Sequence, residues 1–287
     1  MRISTILPLA LFALPPAAAL LLGGCGDNLT QPDPKKAYVT ADPTPLTCVP
    51  NLDGKIDSAE LAPSFDTPAR FVVSPAGRER PISVLPRVDG GKNIWDFSVD
   101  AADEQAATFT AQPIKGHWYE ASFPANAFVV AFDAGGTTEA IYSHDQNALS
   151  LLGLASKVEA PAEGKTLLVY STPISLYKFP LAPGATYTSI GESKNATLRG
   201  LPYAGKDTYE VKVDAAGEVD LPDLIFQQAL RVRIKVTVEP AAGAVTTQRQ
   251  VQFISECFGE ITRFTSKNNE PNEDFTQAAE VRRFGLL

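Results

Sequence analysis

The chain is poor in the residues that carry chemistry. It has two histidines, three cysteines and one methionine in 287 residues. Neither His117 nor His144 stands in a zinc-ligand spacing such as H-E-x-x-H, and no C-x-x-C pair, G-x-S-x-G elbow or phosphate-binding glycine loop occurs. Runs of like charge are also missing, and with a formal net charge of −8 the chain would repel a phosphate backbone, so nucleic acid is excluded as a partner. The tripeptide Ser143-His144-Asp145 holds the residue types of a hydrolase triad. Adjacent residues of a strand point to opposite faces, so it cannot assemble as one.

What is present begins at the N-terminus. Met1-Arg2 leads into an apolar stretch broken by Pro8, Pro15 and Pro16 and ending in Leu-Leu-Gly-Gly-Cys. A positive start, an apolar middle and small residues before a cleavage point are the layout of a secretory signal, and the prolines argue against a spanning helix. Leu22-Gly23-Gly24-Cys25 resembles the lipobox of bacterial lipoproteins. The resemblance implies a signal peptide over 1–24 and acylation of Cys25, so that membrane lipid is the expected partner. It also implies a place in the cell envelope; Gly26, where an inner-membrane lipoprotein of enteric bacteria would carry aspartate, favours the outer membrane, facing the periplasm or the surface. Residues 25–46, polar and punctuated by Pro32, Pro34, Pro43 and Pro45, read as a semi-extended tether.

With Cys25 lipidated, two thiols remain. In an oxidising compartment Cys48 and Cys257 are expected to form one disulfide joining the start of the folded region to a late strand. Beyond the tether, 44% hydrophobic residues suffice for a large core, so a folded body is expected there.

That body alternates. In Ala229–Val238 the apolar Leu230, Val232, Ile234, Val236 and Val238 interleave with Arg231, Arg233, Lys235 and Thr237, the period of a half-buried strand. Val251 and Phe253 alternate with Gln250 and Gln252 in the next run, and Trp95, Phe97 and Val99 with Asp96 and Ser98 in an earlier one. Such runs with frequent glycine turns predict an all-β, antiparallel, sandwich-like fold with few short helices. A break at 160–165 divides it into lobes over 65–160 and 161–268. Helix is expected after Asp57, over the run NALSLLGLAS, and over 269–287 as a C-terminal helix or tail.

The stretch over 47–64 resembles an EF-hand loop. By that resemblance Asn51, Asp53, Asp57 and Glu60 would be side-chain calcium ligands and Lys55 the carbonyl ligand. The first ligand place holds Val49, however, and Pro50 follows. Asp53-Gly54 is equally a turn, and Asp57-Ser58-Ala59-Glu60 a capping box, so the preferred reading has no metal and no cofactor. The aromatic pair Trp118-Tyr119 could face a sugar, or could belong to the core.

Three functional readings remain at this stage. The first is a non-enzymatic, lipid-anchored envelope protein with a binding or structural role. The second is a carrier or sensor of an apolar ligand in a cavity of the β-fold, and the third a hydrolase of unrecognised type. A filled or a hollow interior separates the first two.

Overall fold

A computed structural model describes residues 47–285. The signal segment, Cys25 and the tether to residue 46 lie outside the described residues. The body is all-β, in a single sixteen-stranded sheet. Its strands are β1 (Pro68–Val73), β2 (Arg80–Pro81), β3 (Arg87–Asp89), β4 (Lys92–Asp96), β5 (Gln105–Thr110), β6 (Gln112–Pro113), β7 (Phe128–Ala131) and β8 (Thr138–His144). They continue with β9 (Ala148–Ser156), β10 (Leu167–Lys178), β11 (Thr186–Leu198), β12 (Leu201–Asp220), β13 (Ile225–Pro240), β14 (Thr246–Ser255), β15 (Gly259–Ser266) and β16 (Gln277–Phe284).

The main path runs β5-β1-β16-β15-β14-β13-β12-β11-β10-β9-β8-β7-β6. Its two ends are neighbours in sequence. Only Ala111 separates β5, which pairs with β1, from β6, which pairs with β7. One stretch of chain therefore serves both edges and brings the sheet to a nearly closed barrel, leaving little edge to recruit a stray strand. Local chemistry sets the tightest hairpin. Between β11 and β12 the two connecting residues, Arg199 and Gly200, have φ of 50° and 77°, the positive pair a two-residue turn requires to match strand twist.

Two excursions cover the outside. Residues 74–104 carry β2 to β4 across the outer face of β13 to β16, where Trp95 packs against Phe253 with ring centroids 5.0 Å apart. Close passage needs Gly217, because a Cβ there would stand 2.3 Å from the Asn93 carbonyl oxygen. Residues 114–127 cover the outer face of β7 to β9, burying Tyr119 against Val129, Ile141 and Leu152. Trp118 packs into the same cluster and donates to the Ser156 carbonyl at 2.8 Å, so the aromatic pair is core.

The strands expected over 229–238 and 246–253 form and pair antiparallel. The short helix expected after Asp57 forms as one 3-10 turn, Ser58–Leu61, with the Asp57 N–H donating to Glu60 at 2.8 Å. Three other expectations differ from what is seen. Residues 160–165 lie in the connection between the paired strands β9 and β10, so the chain does not divide there into two lobes. The run NALSLLGLAS is strand β9, its apolar residues continuous because both faces are covered: Leu151 faces inward and Leu152 lies under the 114–127 excursion. The C-terminal segment is β16, held between β1 and β15, where ladder pairing overrides its helix-like charge pattern.

Alternation also hides which face is wet. Arg231 and Arg233 are buried, because the outer face of β13 lies beneath the excursion. Arg231 reaches the Val84 carbonyl at 2.7 Å, and both guanidiniums grip Asp214 at 2.6 to 3.0 Å. Asp214 occupies a bulge in β12, between Val213 and Ala215, which turns its side chain toward them.

Candidate functional site

The register fixes what faces inward. Ile234 pairs with Gln250, Val232 with Gln252, Gln252 with Arg263, and Arg263 with Arg282. Directly opposed residues share a face, so one row of side chains runs inward from aliphatic to amide to guanidinium across β13 to β16. On β14 this inverts the expected arrangement: Val251 and Phe253 lie outside under Trp95, and the two glutamines point in.

The row borders a cavity of about 550 Å³, partly open to solvent. Apolar walls come from Phe71, Phe109 and Phe284, whose rings meet edge to face at 5.3 and 5.5 Å, and from Phe128, Leu149 and Leu151. Polar atoms come from Tyr142, Tyr177, Tyr209, Gln250, Gln252, Glu260, Arg263 and Arg282. The volume lies within the range of small-molecule sites, mostly apolar with a few converging polar groups.

Residues 60–64 form part of the wall. This strap is fixed at three points. Ile56 exchanges two backbone hydrogen bonds of 2.8 Å with Leu181, and Asp66 donates to Ala111 at 3.0 Å. Ahead of both in the chain, the expected disulfide joins Cys48 to Cys257. Beside it the Cys257 N–H donates to the Glu60 carbonyl at 2.8 Å, and buried Glu256 accepts from the N–H groups of Asn51 and Leu52 at 2.7 and 2.9 Å. The turn between β14 and β15 thus clamps the strap to the barrel.

Within the strap the EF-hand-like residues serve one another. The Lys55 ammonium lies 3.4 Å from Asp53 and 2.7 Å from Asp57, and its pKa is raised, first by the hydrogen bond to Asp57. Glu60 accepts from the Asn51 amide at 2.7 Å, and Asn51 from the Asp53 N–H at 2.8 Å. A lysine thus sits between the two carboxylates, and among the described residues no group of three or more His, Cys, Asp or Glu is arranged to hold a metal ion. A calcium site needs several oxygens converging on one point, and here these side chains converge on the Lys55 ammonium and on one another.

His144 and Asp145 do not work on one atom. His144 Nε2 lies 3.0 Å from the Ser58 carbonyl, whereas Asp145 accepts from the N–H groups of Asn147 and Ala148, which hold its pKa down. His117, Tyr119 and Glu139 do meet, with the Tyr119 hydroxyl 2.9 Å from His117 Nδ1 and donating to Glu139. Burial pushes the Tyr119 hydroxyl well up and keeps it protonated. This group lies in the packed outer cluster, away from the cavity.

Inside the cavity the polar groups form a graded network. The Tyr177 hydroxyl donates to Gln252 at 2.6 Å, and Gln252 donates to Gln250 at 3.0 Å. The Arg282 guanidinium stacks 4.2 Å over Phe109 and donates to Glu280 at 3.0 Å and the Phe132 carbonyl at 3.3 Å. Burial lowers its pKa, and the neighbouring Arg263 charge lowers it further. For Arg263 burial works against the charge, but Glu260 and Glu280 outweigh it and the pKa rises. Sequence reasoning gave none of these residues a role in a site, since Gln250 and Gln252 read as the polar face of a strand and Arg282 as the end of the C-terminal helix. The signal it could have used is Gln250 and Gln252 opposite an apolar row. No protein-family model, curated protein or solved structure matches the chain.

Proposed function

We propose that this chain is a lipid-anchored binding protein of the bacterial envelope that carries or senses a small, largely apolar molecule inside its barrel. The observation that supports this is the cavity of about 550 Å³ walled by phenylalanine and leucine, in a domain whose own excursions cover the outer faces of β7 to β9 and β13 to β16. A purely structural role gives no reason for such a space, because an unfilled interior forfeits packing energy. Acylation at Cys25, supported by the lipobox, would place the carrier at a bilayer, a source and sink for apolar molecules.

The test is titration with the fluorescent apolar probe N-phenyl-1-naphthylamine, on the protein from Gly26 onward. One saturable site with a Kd on the order of micromolar is expected. Ala69→Phe projects a ring into the cavity opposite Phe109, its cross-strand partner, and should abolish binding while the variant still unfolds cooperatively. Absence of saturable binding by the parent, or undiminished binding by the filled variant, overturns the reading.

A further inference from the structure

The hydrogen-bonding capacity left over inside the cavity centres on Arg263 and two tyrosine hydroxyls, with the Glu260 carboxylate beside them. The carbonyl oxygens of Gln252 and Gln250 are both taken, by Tyr177 and by Gln252, so this chain of side chains ends on the donor group of Gln250. Arg282 uses one terminal nitrogen, on Glu280 and the Phe132 carbonyl, and its Nε is buried without a hydrogen-bond partner. Arg263 is engaged still less. Glu260 lies 3.3 Å from its Nε without an aligned hydrogen bond, and Nε is buried without a hydrogen-bond partner. Among the described residues its two terminal nitrogens, and the hydroxyls of Tyr142 and Tyr209, make no hydrogen bond to protein, although all three residues line the cavity and keep accessible surface. Tyr142 and Tyr209 pack against the same buried cluster, and the Arg263 charge acts on both hydroxyls.

Open guanidinium and phenol donors call for a ligand that brings acceptors. A planar guanidinium with its terminal N–H groups open matches a carboxylate, which takes two parallel hydrogen bonds. Glu260 and Glu280 balance the two arginines in the protein alone, which keeps two like charges tolerable side by side without using the Arg263 fork. Next to this pole, beginning with Phe109 under the Arg282 guanidinium, the walls are rings, suited to hydrocarbon.

We propose that Arg263, with the hydroxyls of Tyr142 and Tyr209, is the recognition pole for the carboxylate of an amphipathic ligand whose apolar tail lies along Phe71, Phe109 and Phe284. This rests on the cavity reading above and adds a head group to it. Selectivity then has two sources: the tail is admitted by volume, and the head by the donors. A neutral alcohol of equal length leaves the Arg263 fork without its charged acceptor.

The experiment compares dodecanoate, 1-dodecanol and dodecylamine as competitors of the fluorescent probe on the same protein. Dodecanoate should compete at least about tenfold better than dodecanol, the scale of a hydrogen bond to a charged group, and dodecylamine worst. Arg263→Gln should erase the preference for dodecanoate while leaving dodecanol unchanged. Because Arg263→Gln leaves Glu260 without its cation and could unfold the protein, the double variant Tyr142→Phe/Tyr209→Phe, which removes only two oxygens, is measured beside it and should reduce the preference several-fold. Equal competition by acid and alcohol, or preference for the amine, overturns the pole and leaves the cavity reading standing. Failure of all three to compete with a probe that does bind also overturns it. Failure of the probe itself to bind overturns the cavity reading instead.

Discussion

Replacing Asp214 by asparagine tests how the outer face of β13 is held. Asp214 accepts from Arg231 Nε at 2.8 Å, from the second Arg231 nitrogen at 3.0 Å and from Arg233 Nε at 2.6 Å. The side chains of both arginines are less than a tenth exposed and that of Asp214 is 12% exposed, so water does not replace the lost charge. Breaking a buried ion pair by removing one partner costs about 3–5 kcal/mol, against 0–1 kcal/mol for an exposed pair. The cost should stay near that range rather than double. Arg233 keeps Asp274 and the Glu273 carbonyl, and Arg231 keeps the Val84 carbonyl and the face of Trp95, 5.3 Å from its guanidinium carbon. Out of a total stability of about 5–15 kcal/mol this is readily measured by urea unfolding followed by tryptophan fluorescence. A second readout is acid. Burial alone would raise the Asp214 pKa, but the two arginines outweigh it and hold the carboxyl below its ordinary 3.8. Its contribution is therefore fully present above that value and is lost as pH falls through the lowered one, so the gap between parent and variant should close in that acid range. A loss below about 1 kcal/mol at pH 7, or a gap that acid does not narrow, would refute the claim that this face is sealed from solvent.

Further outcomes follow from the same physics. Joining Cys48 to Cys257 closes a sequence separation of 209, for which the chain-entropy relation gives about 5 kcal/mol, so Cys48→Ser/Cys257→Ser should lower the urea midpoint by up to that equivalent and make it insensitive to reductant. An unchanged midpoint would mean the strap opens before the barrel does. Buried Asp207 has its pKa raised by burial, which outweighs the hydrogen bond from Tyr170. A raised carboxylate favours the folded state only while protonated, so stability falls as pH rises through the folded pKa, and Asp207→Asn should gain on the parent in thermal melts as pH climbs above the ordinary carboxylate value of 3.8. The opposite trend would show that the charged form is the stabilised one. Cys25→Ser should move the protein from the membrane fraction to the soluble one and remove the acyl mass from the N-terminal peptide, whereas continued sedimentation with membranes would count against the lipid anchor.

Sequence by itself determined the strands whose two faces differ. Alternation in 229–238 and 246–253, glycine where φ must be positive, the turn after Asp57 and a Cys48–Cys257 bond in an oxidising compartment all follow from local chemistry and from counting. Side-chain period 2 says that two faces exist, but not which of them is covered. That was decided by tertiary structure. The excursions over 74–104 and 114–127 bury one face from outside, and closure of the sheet through Ala111 encloses the other. Hence Arg231 and Arg233 are buried on the outer face, Gln250, Gln252, Arg263 and Arg282 face a cavity, and the apolar run of β9 is a strand rather than a helix. The cavity pole joins β8, β12 and β15, residues far apart in the chain whose meeting depends on ladder register, a long-range quantity that no local pattern carries.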